Sequence, residues 1–433
     1  DYCQQKSTLP KTTKNTVEVL LEKAGTQDCQ QANRKLSSLT KLNLQYVYIG
    51  DLQPLSTLTN LTYLNLKNSG IKDIKSLSRL TNLTYLNLGA NQIKDITPLS
   101  TLSNLTELHL NGNRQKLQPN EISDITPLSR LTNLTTVNLN HNQISDITSL
   151  SELTNLTSLD LGGNEIRDLK SLAKLTNLTS LNIAGNQISN IKLLSSLPDL
   201  TELYIGANQI SDIKPLATLT NLTKLDMIKN QVRDLKPLSG LTNLTELYIN
   251  SNVSSDLKPL SRLTDLTKLS LNANGISNVK PLSKLTNLTH LDLSMNKISD
   301  VRSLNNLTNL VELALWENPI SNNYPIPLKP AVKTFTEYCQ QKSILSQATK
   351  DTVEVLLKKA GTQDCQQANR KLSNLTRLYL WDSNKEISDL RPLSNFTNLT
   401  DLSIWGNQIS DIKPLSDLTN LTSLSLAGKK IRN

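Results

Sequence analysis

The sequence predicts an α/β solenoid of 22-residue coils, with a parallel concave β-sheet, short 3₁₀ segments on the convex side and two helical caps. Three observations predict this fold. A Leu-x-x-Leu-x-Leu unit, in which Val, Ile or Met replaces the second or third leucine of some copies, occurs sixteen times. An asparagine and an Ile-x-Asp-Ile-x-Pro-Leu pattern follow many of the units, and two stretches outside the repeat resemble each other. Self-similarity at a fixed period is typical of repeat architectures, which grow in one direction instead of forming separate globular cores.

Each unit predicts a short strand. Leu64 and Leu66 alternate with Tyr63, Asn65 and Lys67, and this period of two residues is that of a strand with one buried face. The first leucine of each unit occurs at Leu39, Leu61, Leu83, Leu105, Leu134, Leu156, Leu178, Leu200, Leu222, Leu244, Leu266, Leu288, Leu310, Leu375, Leu399 and Leu421.

The asparagine after each strand predicts a ladder of buried amides. At one point of every coil, its side chain can bond the backbone of its own coil and of the next one, which satisfies polar groups inside the solenoid. The predicted ladder consists of Asn91, Asn113, Asn142, Asn164, Asn186, Asn208, Asn230, Asn252, Asn274, Asn296, Asn318 and Asn407.

The return path of each coil is too short for a typical α-helix, because fewer than about ten residues remain after the strand and its two turns. The stretch from Asp95 to Leu99 fits one turn of 3₁₀-helix instead. The aspartate caps the start of this turn, and Pro98 needs no hydrogen-bond donor there.

The combined pattern resembles the bacterial leucine-rich repeat of the internalin type, and the resemblance covers almost everything except the caps and the linker. It implies a concave parallel sheet and a role in adhesion or in interaction through that surface. It does not identify a ligand.

The departures from the repeat divide the chain into five segments. We predict an N-terminal helical cap at 1–38, an array of 13 units at 39–318, a Pro-rich linker at 319–334, a second helical cap at 335–374 and a short array of 3 units at 375–433. In the first cap, Val17, Leu20, Leu21 and Ala24 form one apolar helical stripe, which is expected to cover the open core of the first coil.

Two places in the arrays are irregular. The spacing from Leu105 to Leu134 is 29 residues, so we expect seven extra residues, around 114–120, to bulge from the turn after the fourth strand, as a binding loop or as a tolerated insertion. The second array stops at Asn433 without a terminal shield. Either the sequence is a truncated form, or self-association covers this end through exposed apolar residues.

The four cysteines form two pairs with the same spacing, Cys3 with Cys29 and Cys339 with Cys365. This spacing suggests one disulfide in each cap and therefore an exported protein, with four reduced thiols as the alternative. The cap sequence at 338–340 and 352–361 resembles the N-terminal region of secreted cyanobacterial leucine-rich repeat proteins. That resemblance implies a secreted or cell-envelope location.

Composition and motifs argue against several functions. No run of eighteen apolar residues exists, so no membrane span is expected. The net charge of +9 is spread along the chain, which favours solubility over nucleic-acid binding. We expect no enzyme activity, no catalytic residues, no cofactor and no metal site, because His109, His141 and His290 have no ligand spacing and the repeated aspartates are explained as caps.

The concave face therefore remains as the candidate site, and it carries five cations and eight anions. Trp316, Trp381 and Trp405 all occupy the sixth position after the first leucine, and Tyr379 lies beside the last two. An exposed aromatic row favours protein binding or sugar stacking, unless it packs under the linker or the second cap. A second candidate group lies in the middle of the long array and consists of Glu202, Tyr204, Lys224, Asp226, Glu246, Tyr248 and Lys268. A third candidate is the pair of Tyr63 and Tyr85.

These features predict non-catalytic recognition of another protein through the concave face. The alternative is a glycan-binding surface protein that uses the exposed tryptophans and tyrosines.

Overall fold

The computed structural model describes residues 2–112, 119–320, 334–340, 342, 345–380, 387–405, 409 and 411–427. The chain consists of two compact units, residues 1–327 and residues 328–433.

The first unit begins with a helical cap of two helices, α1 (Lys11–Ala24) and α2 (Cys29–Ser37). The predicted apolar stripe of α1 is buried. Gly25 ends this helix in the left-handed conformation, with φ 64°, which glycine adopts without a steric penalty. Asp28 caps α2 by accepting a hydrogen bond of 2.7 Å from the Gln31 backbone N–H. A disulfide joins Cys3 to Cys29.

Thirteen parallel strands follow and form one sheet in chain order. Each strand is three residues long and pairs in register with the next coil, as Leu64 does with Leu86. The strands are β1 (Lys41–Asn43), β2 (Tyr63–Asn65), β3 (Tyr85–Asn87), β4 (Glu107–His109), β5 (Thr136–Asn138), β6 (Ser158–Asp160), β7 (Ser180–Asn182), β8 (Glu202–Tyr204), β9 (Lys224–Asp226), β10 (Glu246–Tyr248), β11 (Lys268–Ser270), β12 (His290–Asp292) and β13 (Glu312–Ala314).

The return path of the first twelve coils contains a 3₁₀ segment of three to five residues, from Gln53–Leu55 in the first coil to Arg302–Leu304 in the twelfth. The predicted bond to the aspartate is present, although Asp95 precedes the N-cap position of this segment, which is Ile96. The Thr97 backbone N–H donates to Asp95 Oδ1 over 2.8 Å, and side-chain and backbone hydrogen bonds from Thr97 lower the pKa of this carboxyl group. Leu99 points inward from this segment and is fully buried.

The predicted asparagine ladder is present. Asn164 Nδ2 donates to Leu139 O and Leu161 O over 3.1 and 3.0 Å, and Asn164 Oδ1 accepts from the Ile144 N–H over 3.0 Å. The side chain therefore joins two neighbouring coils through groups that are shielded from water.

The fourth coil corrects one detail of this prediction. Asn113 and Asn407 lie outside the described residues. In the fourth coil the ladder bonds are made by Asn120, which belongs to the predicted insertion at 114–120. Asn120 Oδ1 accepts from the Ile93 N–H over 2.9 Å, and its Nδ2 donates to Leu88 O and Leu110 O. The extra residues therefore enter between the strand and its ladder asparagine.

The second unit repeats this plan with three helices, α3 (Phe335–Gln340), α4 (Gln347–Ala360) and α5 (Cys365–Ser373). A disulfide joins Cys339 to Cys365. Three parallel strands follow in chain order, β14 (Arg377–Leu380), β15 (Asp401–Trp405) and β16 (Ser423–Ala427). Two 3₁₀ segments, Arg391–Leu393 and Lys413–Leu415, lie on the return paths.

The core of the first array is aliphatic, as the low aromatic content of 3% predicts, and the core of the second array also contains Phe396. Leu64, Leu86 and Leu159 are each at most 1% exposed. Tyr204 and Tyr248 alternate with such leucines and are only partly buried, on the opposite face of the sheet. The concave face is thus built from the first and third residues of each strand.

Candidate functional site

The third residue of many strands has a structural task on the concave face. Asn182 Oδ1 accepts from the Ala184 N–H over 3.0 Å, and Asp226 Oδ1 accepts from the Ile228 N–H over the same distance. An asparagine or aspartate at this point can bond the backbone two residues later, which fixes the turn after the strand. The frequency of these two residue types in this column therefore follows from the fold.

Asp226 therefore has a structural role in the turn after its strand. Burial raises the pKa of its carboxyl group, although the bond from Ile228 opposes the shift. A role for Asp226 in binding remains a prediction, and it would come in addition to this backbone contact. Five positions in the same column of the first sheet carry other residue types, and the three with large side chains stand out more clearly than Ser270 and Ala314: His109, Tyr204 and Tyr248.

Tyr204 and Tyr248 belong to a connected set of side chains, here called the central network: Glu202, Tyr204, Lys224, Glu246, Tyr248 and Lys268. Strands β8 to β11 place the four charged residues side by side, because Glu202 pairs with Lys224, Lys224 with Glu246 and Glu246 with Lys268.

Glu246 is the centre of the central network. Its carboxylate lies 2.8 Å from Lys268 Nζ and 3.2 Å from Lys224 Nζ. Tyr248 Oη donates to Glu246 Oε2 over 3.1 Å. Tyr204 Oη donates to Glu202 over 3.2 Å, and Lys224 Nζ lies 5.3 Å from the centre of the Tyr204 ring. This ring face contributes a weak cation–π attraction to the lysine.

The pKa shifts of Lys224 and Glu246 keep these two side chains charged at neutral pH. Burial lowers the pKa of Lys224, but its bonds to Tyr204 and Glu246 raise it overall. Burial raises the pKa of Glu246, but its bonds to Lys268, Lys224 and Tyr248 lower it overall. Burial and the negative charge of Glu246 raise the pKa of Tyr248 to about 12. The surface therefore holds fixed charges beside two neutral hydroxyl groups.

The predicted tyrosine pair is in contact. The rings of Tyr63 and Tyr85 are stacked, with centroids 4.3 Å apart and planes 11° apart. The His109 ring is tilted against Tyr85, with ring centroids 5.5 Å apart and planes 49° apart. His109 Nε2 lies 2.7 Å from Glu107 Oε1. His109 and Glu107 were not predicted as part of this group, although the 22-residue spacing of their columns could have shown that they adjoin Tyr85.

The predicted tryptophan row can be tested only in part. Trp316 in the first unit is 54% exposed, and in the second unit Trp405 is 60% and Tyr379 46% exposed. Tyr379 Oη donates to Asp401 over 2.7 Å, and Trp405 Nε1 donates to Ser403 Oγ. Trp381 lies outside the described residues, so its stacking on Trp405 stays a prediction.

The described residues contain no group of three or more His, Cys, Asp or Glu side chains that could hold a metal ion. In that same part of the chain, every helix is too short or too polar to cross a lipid bilayer.

Comparisons with known proteins agree with this architecture. The sequence profile for leucine-rich repeats in two copies matches residues 81–130, 132–174, 154–186, 176–218, 220–262, 264–306, 286–327 and 397–433, which together are more than half of the chain. No curated protein is significantly similar to the chain in sequence.

Solved structures show the same likeness. An internalin, inlF, from Listeria monocytogenes is 29% identical with a TM-score of 0.56, over 96% of this chain and 98% of that one. A leucine-rich repeat protein from Leptospira interrogans is 25% identical with a TM-score of 0.62, over 90% and 91%. The plant peptide hormone receptor RGFR1, solved in complex with RGF2, is 19% identical with a TM-score of 0.57, over 91% and 68%, which shows a common fold alone.

The repeats, the single parallel sheet with its asparagine ladder and the extent of the profile match agree, and this chain belongs to the family of leucine-rich repeat proteins.

Proposed function

We propose that this protein is a non-catalytic recognition protein that binds another protein through the concave face of its first unit. The observation that carries the proposal is the central network, in which Glu246 connects two lysines and a tyrosine across strands β9 to β11. The predicted site residues there are Glu202, Tyr204, Lys224, Asp226, Glu246, Tyr248 and Lys268.

The geometry of the network suits protein recognition. The Lys224 and Glu246 side chains retain 32% and 21% of their exposure, so they are held in place and can still reach a partner. Side chains that are already ordered lose little conformational entropy when they bind. Tyrosines among fixed charges are also typical of residues that dominate the energy of protein interfaces.

The fold is compatible with this role. Its neighbours include an internalin and a plant receptor solved in complex with RGF2. A parallel sheet of thirteen strands offers one continuous row of outward side chains on which an extended partner can lie.

An extracellular or envelope location is part of the proposal. It is supported by the disulfide in each cap, by the similarity to internalins and by the resemblance of the caps to secreted cyanobacterial proteins. Disulfides persist in oxidising compartments and are rare in the cytosol.

Mass spectrometry of oxidatively prepared protein, with and without reductant, tests the location argument. We expect two disulfides that link Cys3 to Cys29 and Cys339 to Cys365. Four free thiols in such material would remove the argument for export.

Binding is tested by capture of extracellular proteins on the immobilised chain, followed by affinity measurement with each purified candidate. The variant Tyr204→Ala/Tyr248→Ala and the variant Glu246→Ala should each weaken binding by about thirtyfold or more, the effect expected for central interface residues. Lys236→Ala, at an exposed site on a convex 3₁₀ segment, is the matched control and should bind like the unmodified protein. Retained affinity in both concave variants would refute the assignment of the site.

A second function, glycan binding, is favoured by the exposed Trp405 and Tyr379 of the second unit. Sugars stack on open aromatic faces, and these two side chains offer more accessible surface than the stacked rings of Tyr63 and Tyr85. A glycan array with the unmodified protein and with Trp405→Ala, Trp381→Ala and Tyr379→Ala separates the two functions. A glycan signal that depends on these residues would support the second function, and array binding that survives all three changes would exclude this surface.

A further inference from the structure

A row of positive charges runs along the convex side of the first unit. The 3₁₀ segments of coils six to twelve all begin with a cationic residue, and the 22-residue period aligns these residues along the stack. The row, here called the convex cation row, consists of Lys170, Lys192, Lys214, Lys236, Lys258, Lys280 and Arg302. Charges that are spread along the sequence are thus collected on one line of the surface.

The fold does not require a cation at this position. Among the first five coils, the 3₁₀ segment begins with a threonine in three, with Gln53 in one and with Lys75 in one, and the backbone forms the same kind of turn. A positive side chain at the start of a helical turn is also electrostatically unfavourable, because the free backbone N–H groups there carry partial positive charge. Seven successive cations at such a position therefore need an explanation other than folding.

The aspartates beside the row neutralise it only in part. In five of the seven coils an aspartate lies two residues before the cation, and its Oδ1 accepts the backbone N–H of the cationic residue, as Asp212 does from Lys214 over 3.0 Å. In the seventh and eleventh coils, Asn190 and Asn278 accept the same bond without a charge. Seven cations thus stand against five carboxylates along this line.

Most of the ammonium groups in the row are available to a partner. Within the described residues, the ion pairs of the row are those of Lys170 with Asp168, over 3.2 Å, and of Arg302 with Asp300, over 2.6 Å. The lysines between these two ends are exposed and form no ion pair in that part of the chain: Lys192, Lys214, Lys236, Lys258 and Lys280. Each is a mobile point charge on a long side chain, which suits binding of anions.

A groove marks the start of the row. It has a volume of about 580 Å³, lies between the 3₁₀ segments of coils six and seven and is lined by Arg167, Lys170 and Lys192 and by the Asp168 carboxylate. Arg167 Nε donates to Gln187 Oε1 over 2.9 Å, so a neutral group positions this guanidinium. The groove therefore combines three cations with one anion.

We propose that the convex cation row binds a linear acidic polysaccharide. The acidic groups of such a polymer repeat along its chain, as the cations repeat along the coils, so several carboxylate or sulfate groups can bind at once. At the groove, the hydroxyl oxygens of Ser195 and Ser196 can accept hydrogen bonds from sugar hydroxyl groups. The row lies on the side opposite to the central network, and the inference does not depend on the function proposed for the concave face.

Nucleic acid fits this surface less well. Single strands are bound largely by stacking of their bases on aromatic side chains. From residue 164 to residue 311, the tyrosines, tryptophans and phenylalanines are Tyr204 and Tyr248 alone, and both lie in strands of the concave face. Duplex DNA carries one charge per about 1.7 Å of its axis, far denser than one cation per coil of about 5 Å. The row offers charge without stacking, which favours hydroxylated rings as the carriers of the anions.

Fluorescence anisotropy of labelled oligosaccharides with the full chain tests the proposal. The probes are polygalacturonate fragments, which carry carboxylates, and heparin fragments, which also carry sulfates. Dextran fragments of the same length are the neutral control. At least one acidic probe should bind, and its affinity should fall as sodium chloride is added, because salt screens exposed charges. Binding of neither acidic probe, or equal binding of dextran, would overturn the proposal.

A variant of four lysines locates the site. Lys192→Gln/Lys214→Gln/Lys236→Gln/Lys258→Gln should weaken binding of the acidic probe by about tenfold or more, since four exposed charge contacts are lost together. The matched control is Lys11→Gln/Lys14→Gln/Lys72→Gln/Lys359→Gln, which removes the same number of charges at exposed positions away from the row. The control should keep its affinity within about twofold. Equal losses for the two variants would show attraction by net charge alone and would contradict a defined site.

Two further measurements separate the row from other sites and partners. Trp405→Ala should leave the affinity for the acidic probes unchanged, and a loss would place the polysaccharide on the second unit instead. A labelled single-stranded oligonucleotide should bind more weakly than the better acidic probe. Tighter binding of the oligonucleotide that is lost in the four-lysine variant would assign the row to nucleic acid and refute the proposed partner.

Discussion

At the residue scale, the ladder asparagines are the polar groups on which the solenoid depends most. Asn164 satisfies two carbonyl groups and one N–H of adjacent coils, and it is only 7% exposed. Water cannot replace these bonds in a filled core, so each unsatisfied group costs about 1–3 kcal/mol.

We predict that Asn164→Ala lowers the free energy of unfolding by about 2–4 kcal/mol, since several backbone groups lose their partner together. Chemical denaturation monitored by circular dichroism measures the change. Asn177→Ala is the control, because its exposed side chain makes one bond, to Thr154 O, and should cost less than about 1 kcal/mol. Similar losses for the two variants would contradict a special role of the ladder.

The raised pKa of Tyr248 predicts that the stability of the protein depends on pH in the alkaline range. Burial and Glu246 raise its pKa to about 12, whereas an unfolded tyrosine titrates near 10. The folded state therefore holds this proton more tightly, and its contribution is fully present below pH 10 and is lost as the pH rises towards 12.

Unfolding midpoints measured between pH 9 and 12 should fall more steeply for the unmodified protein than for Tyr248→Phe. The other tyrosines are common to both proteins and cancel in this comparison. Parallel curves would show that Tyr248 is not held against Glu246 in solution.

At the element scale, each cap is fixed to its first coil by threonines of its long helix and one aspartate of that coil. In the second cap, Thr349 Oγ1 donates to Asp389, and Arg391 Nη2 lies 2.8 Å from the same carboxylate. Burial raises the pKa of Asp389, but the bonds from Arg391 and Thr349 lower it overall. In the first cap, Thr13 donates to Asp51, and the position of Arg391 is taken by the exposed Gln53.

This difference predicts what happens when the residue at position 391 is replaced by its counterpart in the first cap, and the reverse. Arg391→Gln should destabilise the attachment of α4 by about 1–3 kcal/mol, because the carboxylate of Asp389, 11% exposed, loses its charged partner. Hydrogen exchange of the α4 amides should then be about five- to hundredfold faster. The loss should shrink as the pH falls through the lowered pKa of Asp389, since a protonated carboxyl no longer needs the arginine.

Gln53→Arg in the first cap is the matched partner variant. It should slow amide exchange in α1 by bringing a cation to Asp51. If neither variant changes exchange in its own helix, the aspartate does not hold the cap.

The elements themselves could be predicted from the sequence, because a leucine column, an asparagine column and an aspartate column each report one local physical requirement. The position of Asn120 was missed. Asn113 has the ladder spacing counted from the strand, whereas Asn120 precedes Ile122 by two residues, as Asn91 precedes Ile93, and the bonds of Asn120 to the Leu88 and Leu110 carbonyls show that the second spacing decides.

The candidate site was predictable in its columns but not in its contacts. The 22-residue spacing places Lys224 between Glu202 and Glu246, yet side-chain conformation decides that Glu246 collects both lysines and Tyr248. The structural role of Asp226 could not be predicted either, because an aspartate that accepts a backbone N–H bond cannot be distinguished in the sequence from one that only carries a surface charge.

At the scale of the whole molecule, charge is unevenly distributed between surfaces. The chain carries a net charge of +9, whereas the central network contains two lysines and two glutamates that neutralise each other. The net positive charge of the protein therefore attracts anionic partners at long range, but the positive and negative charges of the proposed contact surface nearly cancel. Moderate salt should change the association rate more than the dissociation rate of a partner bound there.

The solenoid architecture also predicts how the destabilising effect of a core substitution extends along the first unit. Each coil contacts only its neighbours, so stability depends on an unbroken series of coil-to-coil contacts. Leu181 in β7 is fully buried between two coils, whereas Leu313 in β13, the last strand of this sheet, is partly exposed. Leu181→Ala should lower the free energy of unfolding by about 2–5 kcal/mol, and Leu313→Ala by less than about 1.5 kcal/mol.

Hydrogen exchange with mass spectrometry locates these effects. Leu181→Ala should speed exchange on both sides of β7, because the interfaces with β6 and β8 weaken together. Leu313→Ala should act on β12 and β13 alone, since fraying from an end leaves the other coils stacked. Equal global losses for the two variants would show that β13 is as well covered in solution as the middle of the array, and that unfolding of the sheet does not begin at this strand.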